Sequence, residues 1–269
     1  MTAWVVWFVL GAFVGSFLNV CIWRLPRSQS IVRPRSACPH CHHSIAWYDN
    51  IPLVSFVLLG ARCRHCRAPI HWRYPIVEAL GGLAAAVALH HFGVGLKGLV
   101  YLVFVWALIV ASAIDFEHQI IPDEISLGGL VLGLILSPLI PQLHETDQAL
   151  VALKRAFVGA LVGGGVLYVT GWLGSWIFRK EAMGGGDVKL LAMAGSILGW
   201  KLVTLTFFLA PVLALIPGLA VLVVKRSHVI PYGPFLSLAL VVSLFYGQTL
   251  IQMSGVEESL KALWGPYGS

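Results

Sequence analysis

A chain of 269 residues that is 58% hydrophobic and only 11% charged, with a mean hydropathy of +0.84, is not a soluble globular domain. Several stretches are long enough to span about 30 Å of hydrocarbon, so the expectation is an all-α polytopic membrane bundle of about eight spans. The formal charge of +6 reads as topology, not as a nucleic-acid footprint, because thirteen of the eighteen Lys and Arg fall in loops that can share one side of the bilayer.

The first span, about 3–23, has no basic start, and Arg24 and Arg27 follow its apolar run. It reads as a retained span with its N-terminus outside, not as a signal peptide. Gly11 and Gly15 have the small-xxx-small spacing of close helix packing, and Cys21 reads as a packing residue. Asn19 is either an interhelical bond or part of a polar cavity. Residues 24–73 then carry eight arginines against the single acid Asp49, which places this insertion in the cytoplasm. Within it stand Cys38-Pro-His-Cys41 and Cys63-Arg-His-Cys66, two C-x-x-C pairs separated by 21 residues. Each pair can grip one ion from a tight knuckle, and together they complete a tetrahedral sulfur shell, as in a zinc ribbon. Disulfides are the alternative, disfavoured by a reducing cytosol. His40, His42, His43, His65 and His71 are further potential ligands. The apolar stretch 50–60 is too short to span, so it dips into the interface or packs on the bundle.

The second span, about 74–92, carries Glu78 one turn in, either capped by the helix start or facing a site. The third, about 96–114, ends at Asp115, and the fourth, about 123–140, opens at Pro122-Asp123. A polar outer loop, 141–154, leads to a glycine-rich fifth span, about 155–178. Met183-Gly-Gly-Gly-Asp187-Val-Lys189 introduces a sixth, to about Trp200. The seventh, about 202–224, and eighth, about 233–252, precede a short tail, 255–269. The implied division is 1–23 as first span, 24–73 as zinc loop, 74–254 as the main bundle and the tail. With both ends outside, loops 24–73, 115–122, 179–189 and 225–232 lie inside, so Asp123 and Asp187 enter the membrane from one face.

A carboxylate at the mouth of a span is costly unless it faces protein or water. Two of them at equal depth on neighbouring helices can share one proton, and such a pair hydrolyses amides: one member takes a proton from water, the other gives one to the carbonyl oxygen. Asp115 competes with Asp123 for the first role, and Glu78 is a further accessory acid. Gly184, Gly185, Gly186 and Lys189 are the residues expected to contact substrate or its loop. A proton-coupled carrier, with Asp123, Asp187 and Glu78 as a relay and the zinc loop as a docking module, is the alternative reading.

Gly184–Lys189 resembles the G-x-G-D signature of membrane aspartyl proteases, and the wider chain resembles the type IV prepilin peptidases. The resemblance also covers 15–20 with Arg24-Leu-Pro26, both cysteine pairs, 49–52, Arg73-Tyr-Pro75 with Glu78, 115–123 and 232–235. It implies a bacterial inner-membrane enzyme that cuts the basic leader from type IV prepilins or type II secretion pseudopilins, after a glycine, on the cytoplasmic face. The new N-terminal residue would then be methylated from S-adenosylmethionine. By the same resemblance Asp123 and Asp187 are the catalytic acids, and Cys38, Cys41, Cys63 and Cys66 hold zinc. One departure stands out: members often place a basic residue directly after the glycine before the second cysteine pair, whereas here the order is Gly60-Ala61-Arg62-Cys63.

Overall fold

The structure is a computed structural model that describes residues 2–180, 183–225 and 231–253, without the side chains of residue 2 and of 216–225. The proposed tail and most of the last inner loop lie outside the described residues. The described chain is helical, with two isolated β-bridges and no strand. Five of its helices are long and apolar enough to cross a membrane, which makes this a multi-pass membrane protein. The chain separates into two units, Met1–Pro122 and Asp123–Ser269.

In the first unit, α1 (Thr2–Arg24), α3 (Arg73–Phe92) and α4 (Leu96–His118) pack together, and a five-residue helix α2 (Val54–Leu58) lies in the insertion. The glycines explain the α1–α3 crossing. A Cβ at Gly11 would strike Ala85 and Gly81, and one at Gly15 would strike the backbone of Glu78. Small residues on both helices bring the backbones together, where dispersion and polar contacts replace the hydrophobic drive that lipid cannot supply. Asn19 completes the seam, donating from Nδ2 to the Gly15 carbonyl at 3.3 Å and the Tyr74 carbonyl at 3.2 Å. Its role is therefore the interhelical bond.

The second unit is built around α7 (Gly185–Leu198), packed against α5 (Asp123–Leu139), α6 (Ala149–Phe178), α8 (Trp200–Lys225) and α9 (Gly233–Met253). Apolar all round from Leu190 onward, α7 buries Leu190, Leu191, Met193 and Ala194. At 14 residues it is about 21 Å long, shorter than the hydrocarbon, and Gly199 at φ 80° turns the chain directly into α8. The span expected to run to about Trp200 is thus a short central helix. It crosses α6 closely: a Cβ at Gly159 would strike the Gly195 carbonyl, one at Gly163 the Leu191 carbonyl, and one at Gly171 the Met183 side chain. That register is antiparallel.

At the far end of this unit a 3-10 turn, Pro141–His144, plugs the gap between helices. His144 is buried, its Nε2 sits 2.9 Å from the Ser137 hydroxyl, and Arg155 donates to its carbonyl at 2.7 Å. Burial, against a bond from Ser196 and with the Arg155 charge adding to it, pulls its pKa down to about 4. The folded state therefore binds this proton less readily than the unfolded chain, so the stability is complete above the ordinary histidine pKa and is lost as pH falls toward 4. Thermal unfolding should show a loss of at most about 3 kcal/mol over that window. His144→Gln should flatten that part of the profile; an unchanged profile in this variant would refute the assignment.

Candidate acid pair and four-cysteine centre

Asp123 is the first residue of α5, with Glu124 beside it, and Asp187 lies in the first turn of α7, its N–H bonded to the Gly184 carbonyl at 3.2 Å. Carboxylates in first turns complement the exposed amide dipoles there. The two helices run parallel. A Cβ at Gly129 would run into the Met193 thioether, and one at Gly133 into Ser196 and Ile197. The offset from Gly129 to Met193 is 64 positions, which is also the offset from Asp123 to Asp187. The two acids therefore stand at one level, on helices that enter the bundle from the same side.

Along the α6 register Asp187 lies opposite Leu167, and α6 continues for another 11 residues, about 16 Å, to Phe178. Trp172, Trp176 and Phe178 on this stretch are exposed, as suits lipid or interface contact. At the helix entries Asp123 is exposed, with 57% of its side-chain surface accessible, and Asp187 is half-buried.

Around α7 the stripe facing α5 runs through Lys189, Met193 and Ser196, and Asp187, two residues before Lys189, lies well around the helix from that stripe. The Lys189 ammonium meets Asp123 Oδ1 at 2.7 Å. Asp187 lies near Tyr232, whose hydroxyl is pushed up to about 12 by burial and by the Asp187 charge. A Cβ at Gly184 would come within 3.3 Å of Asp187 Oδ2, whereas Gly185 faces open space. The turn therefore leaves the carboxylate uncrowded and its backbone approachable. Neither the Lys189–Asp123 pairing nor the nearness of Tyr232 follows from spacing, although Tyr232 belongs to a stretch that carries the family resemblance.

The accessory acids lie in the first unit. Glu78 is buried and accepts the Leu53 N–H at 2.8 Å, with the Ser16 hydroxyl as a second partner. Leu53 has φ 61°, a left-handed conformation costly for a branched side chain, so this carboxylate clamps a strained turn of the insertion onto α3. Asp115 is buried near the end of α4, where Arg73 forms a two-oxygen ion pair with Glu117 at 2.6 Å.

The four cysteines converge, with every pair of sulfurs within 4.8 Å and Cys38 Sγ 3.7 Å from Cys66 Sγ. Four thiolates about 2.3 Å from one ion would be about 3.8 Å apart, so the cluster can hold a metal ion. The same knuckle is built twice. The N–H groups of Cys38 and Cys63 donate to the carbonyls of His43 and Ala68, and His42 and Arg67 turn left-handed at φ 56° and 59°. N–H groups of Cys66 and His65 pull the Cys63 thiol down to about 7. Cys66 accepts the Ala68 N–H, yet burial and the sulfurs of Cys41, Cys63 and Cys38 push its thiol up to about 11. Four thiols this close cannot all ionise without a cation among them. The His43 and His65 rings stack 3.5 Å apart, and the metal-capable group includes no histidine among the described residues. Arg64 grips Asp49 through both carboxylate oxygens and so holds this acid below the usual carboxylate range.

A multi-pass helical membrane protein with two level acids in its second unit and a four-thiol centre in its first is a distinctive class. The bacterial peptidase A24 N-terminal domain matches residues 9–92, and the type IV leader peptidase family matches residues 102–219. A prepilin leader peptidase/N-methyltransferase of Stutzerimonas stutzeri is 37% identical over 268 residues, covering 90% of each chain. One from Pseudomonas aeruginosa is 36% identical over 281 residues, covering 92% of this chain and 93% of its own. One from Myxococcus xanthus is 44% identical over 195 residues, covering 72% of this chain and 56% of its own. The chain belongs to the type IV leader peptidase family. No solved structure matches it.

Proposed function

We propose that the protein is a bacterial inner-membrane aspartyl endopeptidase that removes the leader of type IV prepilins or pseudopilins after a glycine, at the cytoplasmic face, and N-methylates the new terminus. The observation that carries the proteolytic half is the parallel register of α5 and α7, which sets Asp123 and Asp187 at one depth. Two carboxylates close together share a proton, because both do not ionise readily side by side. One then accepts a proton from water as its oxygen attacks the scissile carbonyl carbon. The other gives its proton to the carbonyl oxygen, and collapse of the tetrahedral diol returns a proton to the departing amine. The Gly184–Gly186 turn offers backbone to an extended substrate segment without a side chain in the way.

The position of both acids in the first turns of apolar helices suits a substrate whose cleavage site adjoins a hydrophobic helix. In the insertion the four thiolates would hold zinc as a structural ion: the sulfur-only donor set, the knuckles and the sulfur spacing all fit it. S-adenosylmethionine would supply the methyl group. The carrier reading is not favoured: Glu78, the third member of its relay, is taken up by the Leu53 turn.

A direct test mixes purified protein with a synthetic precursor carrying a basic leader, a glycine, a phenylalanine and the following apolar turns. Mass spectrometry should show one cut after the glycine, and label from S-adenosylmethionine should appear on the phenylalanine amine. An intact precursor, or cuts scattered elsewhere, would sink the proposal.

A further inference from the structure

The short helix α2 turns an apolar face to the outside. Val54, Val57 and Leu58 have the i, i+3, i+4 spacing of one helical face, and Val57 and Leu58 are 75% and 80% exposed. The other sides of α2 are tied down. Ser55 is buried and its hydroxyl donates to the Tyr48 carbonyl at 2.9 Å, and the Phe56 ring rests on that of Trp72 with centroids 5.0 Å apart. Trp72 in turn heads a run of exposed side chains, Trp72, Ile76, Leu80 and Leu83, whose spacing marks one lipid-facing stripe of α3. The depth of α2 is fixed as well. The Leu53 N–H that opens it is bound by Glu78, about 7.5 Å along α3 from Arg73, and the same carboxylate takes the Ser16 hydroxyl of α1. The start of α2 therefore lies beside the first turns of a membrane span, at the end of its lipid-facing stripe.

The charge near this face is one-sided. Residues 24–73 carry eight arginines against one acid, Asp49, and Arg64 grips that acid through both oxygens. Arg62, which bonds back to the Leu59 carbonyl at the end of α2, is exposed, as is Arg67. An exposed apolar face beside long cationic side chains is the pattern of an interfacial segment: its apolar residues enter the acyl boundary while the guanidinium groups meet headgroup phosphates. Two other occupants fit less well. A second copy would bring eight further arginines to this face, and a precursor with a basic leader would also meet like charge.

We propose that α2 docks on the bilayer: Val54, Val57 and Leu58 enter the boundary between headgroups and acyl chains, and arginines of the insertion hold anionic phospholipid headgroups beside them. The insertion is thereby fastened to the membrane at a point additional to the two spans that flank it. This contact does not depend on the two aspartates.

The test uses the full-length protein in nanodiscs of equal parts phosphatidylglycerol and phosphatidylcholine, with the photo-crosslinker p-benzoylphenylalanine in place of Val57 or of Leu58. Irradiation should add the mass of a phospholipid, with phosphatidylglycerol favoured about fivefold, the factor that an arginine near an anionic surface supplies. With the probe at position 57, Val54→Glu combined with Leu58→Glu should cut the adduct severalfold, because carboxylates resist the acyl boundary and repel phosphates. Val54→Ile combined with Leu58→Met stays apolar and should retain it. No lipid adduct at either position, or an adduct to an added precursor peptide or to a second copy instead, would overturn the docking. Adducts that follow the bulk lipid composition would overturn the anionic preference, and an adduct undiminished in the doubly acidic variant would overturn the apolar contact.

Discussion

Asp123→Asn and Asp187→Asn should each lower prepilin cleavage by about 10²–10⁴-fold or more, while methyl transfer to a pre-cut peptide continues. An amide can neither accept the proton of water nor deliver one to a carbonyl oxygen, and a positioned acid or base contributes about that factor. The effects should not multiply in the double variant, because the two groups act as one unit. Asp115→Asn provides the control: buried at the end of α4 in the first unit, it should leave cleavage within a small factor. Measured rates on one precursor peptide, with substrate in excess, check all four proteins. Retained cleavage in either Asp123→Asn or Asp187→Asn removes the pair, and a dead Asp115→Asn beside an active Asp123→Asn would move the base to Asp115.

Replacing Cys38 or Cys63 by serine should remove the metal and unfold the insertion locally. Structural zinc in small thiolate modules supplies about 10–16 kcal/mol of apparent binding energy, most of which is folding energy. Beyond the Glu78–Leu53 clamp and the Arg64–Asp49 pair little packing holds the insertion: Cys38 is its only buried cysteine, and its apolar side chains Val57, Leu58, Trp47 and Trp72 are exposed. Metal content should fall from about one ion per chain to near none. Trypsin should then cut readily after Arg62, Arg64 or Arg67, which the second knuckle holds in the intact protein. Full metal content in Cys63→Ser, or equal trypsin resistance, would argue that hydrogen bonds and the Asp49–Arg64 pair suffice to hold the insertion.

These effects differ in how visible their causes are along the chain. The spans were legible because a membrane imposes a length and a hydropathy on every crossing, so α1, α3, α4, α6 and α9 follow from runs of apolar residues. The four-cysteine cluster was legible because two C-x-x-C pairs at this spacing read as one ligand set. Gly11 and Gly15 announced a close crossing on α1, since a helical glycine in lipid has little other reason to be there. In each of these cases the information is local.

What stayed hidden depends on which faces meet. Hydropathy cannot show that α7 stops at 14 residues, because Gly199, which turns the chain there, is one glycine among 28. Nor does it show that Glu78, an apparent intramembrane acid, serves as the clamp on Leu53, 25 positions away. Counting spans predicts only that Asp123 and Asp187 enter from one side. That they share a level emerges from the Gly129–Met193 and Gly133–Ser196 contacts, and that Asp123 meets Lys189 follows from the rotation of α7 about its axis. The rotation and depth of a helix are set by side chains distant in the chain that interlock along its whole length, and no short stretch of residues carries that constraint.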